Sequence, residues 1–600
     1  MPRGERVIVV ICPRRAGILF TGARTPQSNA VHLTAPLKRG AGQNALIFSF
    51  SFPLVKNLQL LYNIPVNIHG GRNMKYNIIP EPVKMTAGSE TVFTLTRLCE
   101  VEYDEGAKKG YDALVKFLSD SFSLKLVGTG REKITLKIDD SIENAEGYTL
   151  TVTKDSAVIC GKDEAGVLYG VQSLKQLLFQ GELSLPEISI TDCPRFSYRG
   201  FMLDCGRYFF TVEAVKVFLE MMALHKLNTF HWHLSEDQGF RAQVLNKLLL
   251  TEIGSYRSHT NFNSRKHEGY YTVDDMKEIV EYAHNLCIKV IPEIDTPGHA
   301  VAMIAAYPEL SCFDRQLTVA THWGVKHDVL CIGKESTFDF MQTVVDELLE
   351  TFTDGTFHLG GDEVPTTRWK ICPHCQQRIK DEGLKDESGL HTYFLDRMAS
   401  YLKNKGQEVV MWNDTVKDYM VAKDVVWQFW NGDMKKEDIV GEINSGRPFI
   451  MSNISAYYLD LPYAHVNLKD TYDFEPVYEG IKEENKHLVK GVEACLWAEF
   501  VPTMKKAGYC TYPRLGAFAE TAWSPKENKS YDRFLGKLPF YYNMLHAYGI
   551  DTATLRQANP DIVRKVGNLV WWERRKLCWQ GLHNLIDNAS VQRKYGKKEK

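Results

Sequence analysis

No run of about 20 continuous apolar residues occurs in the chain, so no transmembrane helix is expected. Neither sign of charge is in excess: 72 basic and 74 acidic side chains leave a net charge of -2. So balanced a chain has no electrostatic footprint for nucleic acid or for an anionic membrane. Internal repeats are missing. The thirteen cysteines are odd in number and scattered, which excludes a small disulfide scaffold and fits a reducing compartment. A signal peptide with a small-residue cleavage site is also lacking, and a cytoplasmic location is expected. What is present is length and core: 600 residues at 44% hydrophobic content, enough for two or three domains.

The composition divides the chain. Residues 1–73 hold nine Lys and Arg against one acid, Glu5, with Pro, Gly and Ser interspersed. They read as an N-terminal extension, either disordered or sequence upstream of the true start at Met74; an organelle-targeting leader competes less well. Residues 74–192 mix both periods. Segments 90–95 and 133–138 alternate as strands, 148–152 and 157–160 form a hairpin, and 112–121 and 163–179 carry apolar residues at helical spacing. This is a small α+β domain without a catalytic constellation. From 193 to 548 short apolar runs alternate with amphipathic helices such as 212–225, 273–286, 337–352 and 391–405. The runs are 201–203, 228–234, 289–294, 356–359, 408–412, 425–430, 448–452 and 492–497. Strand and helix in alternation imply parallel strands joined by crossovers, and eight such units imply a (β/α)8 TIM barrel with its site at the C-terminal strand ends. Residues 549–600 read as a helical tail.

The strand ends carry the chemistry. Asp204 and Arg207 follow the first run, and His231-Trp232-His233-Leu234-Ser235-Glu236-Asp237 closes the second. Asp295 and His299 follow the third, Asp362-Glu363 the fourth and Trp412-Asn413-Asp414 the fifth. Trp427 and Trp430 end the sixth, Tyr458 and Asp460 follow the seventh, and Trp497-Ala498-Glu499 ends the eighth. Any one of these has a bland explanation: a Trp at a strand end is usually core, and at least one histidine of the His-Trp-His run is expected to be structural. Their recurrence at every end is what a carbohydrate site needs, with flat apolar faces for sugar rings and acids for hydroxyls. The fourth end is the most informative. Neighbouring side chains in a strand point to opposite faces, so Asp362 and Glu363 can share a pocket only if the strand has broken. Gly360 and Gly361 permit that break.

These residues resemble a known family. His358-Leu359-Gly360-Gly361-Asp362-Glu363 and Glu493-Ala494-Cys495-Leu496-Trp497-Ala498-Glu499 are similar to motifs of the β-N-acetylhexosaminidases of glycoside hydrolase family 20. Pro292-Glu293-Ile294-Asp295-Thr296-Pro297-Gly298-His299 and Phe201-Met202-Leu203-Asp204-Cys205-Gly206-Arg207 fit the same family, and the likeness runs from about Met74 to the mid-500s. The resemblance implies Glu363 as general acid, Asp362 as holder of the substrate's 2-acetamido group and Tyr458 as donor to its carbonyl. It implies Trp412, Trp430 and Trp497 as pocket walls, and Arg207, Asp460 and Glu499 as binders of sugar hydroxyls. Glu236, Asp237, Asp295 and His299 would support Glu363. The implied reaction is removal of terminal β-linked GlcNAc or GalNAc from a glycan or amino-sugar oligosaccharide, with retention and no cofactor. This family is an exception to the two-carboxylate scheme, because the acetamido oxygen is the nucleophile. Tyr208, Glu236 and Phe240 stand where the family often has other residues, which bears on fine specificity. A disaccharide-releasing relative, a silent sugar-binding protein and a two-carboxylate hydrolase are the rival readings.

Cys372-Pro373-His374-Cys375, with Cys312 and Cys331 upstream, leaves two readings open. Four thiols could meet around a structural zinc; free thiols, or a disulfide in an exported protein, are the favoured alternative, since a short C-x-x-C is a weak signal. No metal is expected in the chemistry itself.

Overall fold

The computed structural model describes residues 8–10, 19–21, 76–261, 264–414, 421–430 and 434–596. The expected extension, 1–73, lies outside the described residues except for two short antiparallel strands, Ile8–Val10 and Leu19–Thr21.

The first part of the main body is a six-stranded mixed sheet. Its strands run in the order Lys84–Thr94, Ser184–Asp192, Tyr148–Val152, Ser156–Gly161, Lys133–Ile138 and Glu100–Tyr103. The alternation in Lys133–Ile138 buries Ile134 and Leu136 completely and leaves Lys137 outside. The hairpin pairs Tyr148 with Gly161 and Val152 with Ala157. Helices Lys108–Phe122 and Glu164–Gln180 pack against the sheet, the second capped by Asp163, which accepts the Gly166 N–H at 2.8 Å. Leu168, Val171, Leu174, Leu177 and Leu178 of that helix are all fully buried.

The second part is a closed barrel of eight parallel strands: β1 (Tyr198–Asp204), β2 (Thr229–His233), β3 (Lys289–Glu293), β4 (Thr356–His358), β5 (Glu408–Trp412), β6 (Val426–Phe429), β7 (Phe449–Met451) and β8 (Val489–Leu496). All eight expected strands are present. Most of their residues are buried, as parallel strands covered on both faces must be. β8 closes on β1 in the register Gly491 to Tyr198 through Leu496 to Leu203. Some of the intervening helices start on side-chain caps; Thr272, for example, forms a capping box with Asp275 at the head of Val273–Asn285. Tyr198, Ile291, Val410, Val426 and Ile450 form one apolar cluster, and Met202, Trp412, Tyr458, Cys495 and Trp497 another. The chain ends in helices that include Arg514–Trp523, Tyr531–Ala547 and Ile562–Tyr595.

Several links join the two parts, Arg199 to Glu146 at 2.7 Å among them, and the most enclosed centres on Asp192. Asp192, the last residue of its strand, accepts from Lys226 Nζ at 2.8 Å, from Tyr148 Oη at 2.7 Å and from Trp523 Nε1 at 3.0 Å. All four side chains are fully or almost fully buried.

Candidate active site

β4 ends at His358, and the chain then turns through Gly360 and Gly361, whose φ angles are +70° and +97°. Glu363 follows in the same left-handed region at φ +50°, a conformation that costs a non-glycine residue about 1–3 kcal/mol. A Cβ on Gly360 would stand 1.9 Å from Asp295 Oδ1, so the β4 end reaches this close to the β3 end only with glycine there. The Gly361 N–H uses the approach and donates to Asp295 Oδ1 at 3.0 Å.

The break brings the adjacent carboxylates together. His299 Nε2 is 3.8 Å from Asp362 Oδ2 and 3.7 Å from Glu363 Oε2. On its other side, His299 Nδ1 lies 2.8 Å from Glu236 Oε1. Burial opposes charging of this imidazole, but the carboxylates of Glu236, Asp295 and Asp362 outweigh it and hold its pKa well above the ordinary value. Glu363 stands at the mouth with its side chain 40% exposed. Desolvation by the rim nonetheless raises its pKa; Asp362 adds to the rise, against His299 and Arg207. Asp362 is buried, and among the described residues its Oδ1 has no hydrogen-bond partner.

Beside the pair stands an aromatic wall. The Trp412 and Trp497 rings are 5.7 Å apart, and Trp430 stacks on Tyr458 at 6.2 Å and 12°. Trp412 is held by its Nε1, which donates to Glu293 Oε1 at 2.8 Å. Arg207 lies over the Trp497 ring at 5.0 Å and meets Asp204 at 3.0 Å, Glu236 at 3.4 Å and Glu499 at 3.6 Å. Asp460 is half-buried, its Oδ1 is unpartnered among the described residues, and burial together with Glu499 pushes its pKa up to about 8. Asp237 turns the other way: its Oδ1 accepts the Val301 N–H at 3.0 Å, at the start of helix Val301–Ala306. Its Oδ2 lies 3.9 Å from His299 Nδ1, so it supports the segment behind His299 and, through that residue, the surroundings of Glu363.

Three acids to which the resemblance gave no role shape the site. Asp414 accepts from Trp430 Nε1 at 2.7 Å and faces the Glu363 N–H at 3.4 Å, so it spans the β4 and β6 ends. Burial and the charge of Asp362 raise its pKa to about 7. Glu293, fully buried, takes His231, His233, His358 and Trp412 around one carboxylate. Glu493 does the same for Tyr198, His231 and Gln428. Both histidines of the His-Trp-His run thus belong to the buried framework, while Trp232 packs in the outer core. The visible signal was a glutamate inside an apolar strand, which must be paired wherever it is buried.

A closed parallel barrel whose rim gathers paired acids against a wall of indoles defines a glycosidase-type barrel hydrolase. The comparisons narrow this. The profile described as "Glycosyl hydrolase family 20, catalytic domain" matches residues 196–526, and "Glycosyl hydrolase family 20, domain 2" matches residues 75–193. The chain belongs to glycosyl hydrolase family 20. A β-hexosaminidase of Porphyromonas gingivalis is 36% identical over 508 residues, which is 79% of this chain; the match spans 64% of that relative's length. A β-hexosaminidase of Akkermansia muciniphila is 31% identical over 87% of this chain and 99% of its own. The solved structure of a family 20 exo-β-N-acetylglucosaminidase from Vibrio harveyi, in complex with N-acetylglucosamine, superposes with a TM-score of 0.74 at 26% identity, covering 82% of this chain and 81% of that one.

Proposed function

We propose that the protein is an exo-acting β-N-acetylhexosaminidase that removes terminal, non-reducing β-linked GlcNAc or GalNAc by a substrate-assisted, retaining mechanism. The observation that carries this reading is the convergence of Asp362 and Glu363 beside four aromatic rings, with one Asp362 oxygen buried and free to accept. The names of the relatives above and the sugar in the Vibrio harveyi structure support it.

In this reading the pocket of Trp412, Trp430, Tyr458 and Trp497 holds the 2-acetamido group. Asp362 Oδ1 accepts the acetamido N–H, and Tyr458 donates to its carbonyl oxygen. That oxygen attacks the anomeric carbon while Glu363 gives its proton to the departing glycosidic oxygen. The positive oxazolinium-like ring that results lies against the Asp362 carboxylate. Water, deprotonated by Glu363, then opens it from the same face, and the configuration is retained. Intramolecular attack removes an entropic barrier that well-oriented systems lower by roughly 7–11 kcal/mol. Arg207, Asp460 and Glu499 bind the sugar hydroxyls; Glu499 lies on the rim beside Arg207, and Arg207 is a fixed cation oriented by Asp204 and Glu236. The cytoplasmic location stays part of this proposal, supported by the eleven described cysteines, none of which is joined to another in a disulfide.

The test is Glu363→Gln on a chromogenic β-GlcNAc substrate. We expect kcat to fall roughly 10²–10⁴-fold, as for loss of a positioned general acid, with a smaller loss for aglycones that leave easily. A variant as fast as wild type on a poor leaving group would remove Glu363 from its role.

A further inference from the structure

The reaction leaves four buried thiols unused. Cys312 and Cys331 lie on the long connection between β3 and helix Glu335–Leu349. Cys372 caps helix Pro373–Asp381 and Cys375 lies in its first turn, just beyond the loop that carries Asp362 and Glu363. All four are buried, and three of them are fully so. Cys331 Sγ is 3.7 Å from both Cys372 Sγ and Cys375 Sγ, and Cys312 Sγ is 3.9 Å from Cys375 Sγ. The four sulfurs lie within 4.8 Å of one another. Bonded sulfurs stand about 2.05 Å apart, so these are separate thiols. Four thiolates placed tetrahedrally at about 2.3 Å from a zinc ion are about 3.8 Å from each other, which matches the three distances of 3.7–3.9 Å above.

The backbone is shaped to the same end. A Cβ on Gly333 would stand 2.1 Å from the His374 carbonyl carbon and 2.3 Å from the Cys375 nitrogen. Cys331-Ile332-Gly333 therefore folds directly onto the Cys372-Pro373-His374-Cys375 turn, and only glycine allows the contact. Chance clustering of thiols in a core gives no reason for two backbone knuckles to close on one point.

We propose that Cys312, Cys331, Cys372 and Cys375 bind a structural zinc ion that ties the β3 connection to the loop of the catalytic pair. Soft thiolates in a tetrahedral, buried set select such an ion over hard cations. Each thiol releases its proton to solvent on binding, and nothing is oxidised or reduced. The clamp runs parallel to hydrogen bonds across the same seam: Trp369 Nε1 donates to the Leu330 carbonyl at 2.9 Å, and Arg368 grips Asp328 at 3.2 Å. The closed four-sulfur set leaves no open position, so the ion acts on architecture and not on the glycoside.

The full chain, purified under reducing conditions without chelator, is to be analysed for metal by mass spectrometry. We expect about one zinc per chain, strongly reduced in Cys331→Ser and Cys375→Ser. Refolding wild type with cobalt(II) chloride in place of zinc is expected to give the intense visible bands of a tetrahedral cobalt–thiolate. Wild type that holds no zinc after incubation with zinc sulfate, and gives no such bands, would overturn the proposal, as would iron in the site or disulfides among these cysteines in the unreduced protein. Should the serine variants fail to fold, zinc content and the cobalt spectrum of wild type decide the matter alone. None of these readings depends on hydrolysis.

Discussion

To act as the proposed general acid Glu363 must be protonated, and its surroundings favour that state. Because desolvation raises its pKa, the protonated form persists to higher pH than for an ordinary carboxyl, and kcat is expected to fall as pH rises through the raised value. The limb attributable to Glu363 should vanish in Glu363→Gln; a full limb left unchanged would place the proton elsewhere. Asp460 offers a check that needs no substrate. Its folded pKa of about 8 lies above its ordinary 3.8, so the folded state holds the proton more tightly than the unfolded chain. That stabilisation is complete below pH 4 and is lost as pH rises through 8. Asp460→Asn, neutral throughout, is therefore expected to melt close to wild type at pH 4 and above it at pH 9 by scanning fluorimetry. An equal difference at both pH values would contradict the assignment.

At the scale of elements, the β4 turn is where sequence and geometry meet. The two glycines announced that the strand must break before Asp362 and Glu363, and the positive φ angles at Gly360, Gly361 and Glu363 are how it breaks. Gly360→Ala would force a methyl against Asp295 and is expected to destabilise by at least about 1–3 kcal/mol from the backbone alone. It should lower kcat as the pair is displaced; an unchanged urea midpoint and unchanged turnover would refute this account of the turn. The eight strands were legible because parallel strands buried on both faces read as short apolar runs between helical periods. Asp414 was harder to place. Its role depends on β5 and β6 lying side by side, which local pattern does not encode. Glu293 and Glu493 were visible as acids within apolar runs, but a sequence does not say which partners neutralise them. The four-thiol cluster was left open for the same reason: spacing brings Cys372 near Cys375, whereas only the fold brings Cys312 and Cys331 to them.

At the scale of the whole molecule, the sheet part is fastened to the barrel by a charge. Asp192 and Lys226 are paired, desolvated and completed by Tyr148 and Trp523. Removing one partner of a buried pair leaves the other uncompensated, at a cost of about 3–5 kcal/mol. Asp192→Ala is expected to lower the unfolding midpoint accordingly, or to separate unfolding of the sheet part from that of the barrel. A single transition at the wild-type midpoint would mean that the network carries no such load. The C-terminal helix Ile562–Tyr595 is tied by a more exposed contact: its Asp587, with a side chain 45% exposed, meets Arg368 at 2.8 Å and Arg315 at 3.2 Å, and water screens that pair where it cannot screen Asp192 and Lys226.

The central claim is that the substrate's own acetamido group is the nucleophile and that Asp362 serves it. The most direct measurement is the initial rate of aglycone release from matched β-GlcNAc and β-glucose substrates, with wild type and Asp362→Ala in parallel. The account predicts cleavage of the acetamido sugar alone, and a large fall in that rate in the variant. Comparable cleavage of β-glucose by wild type would contradict it and point to a protein nucleophile.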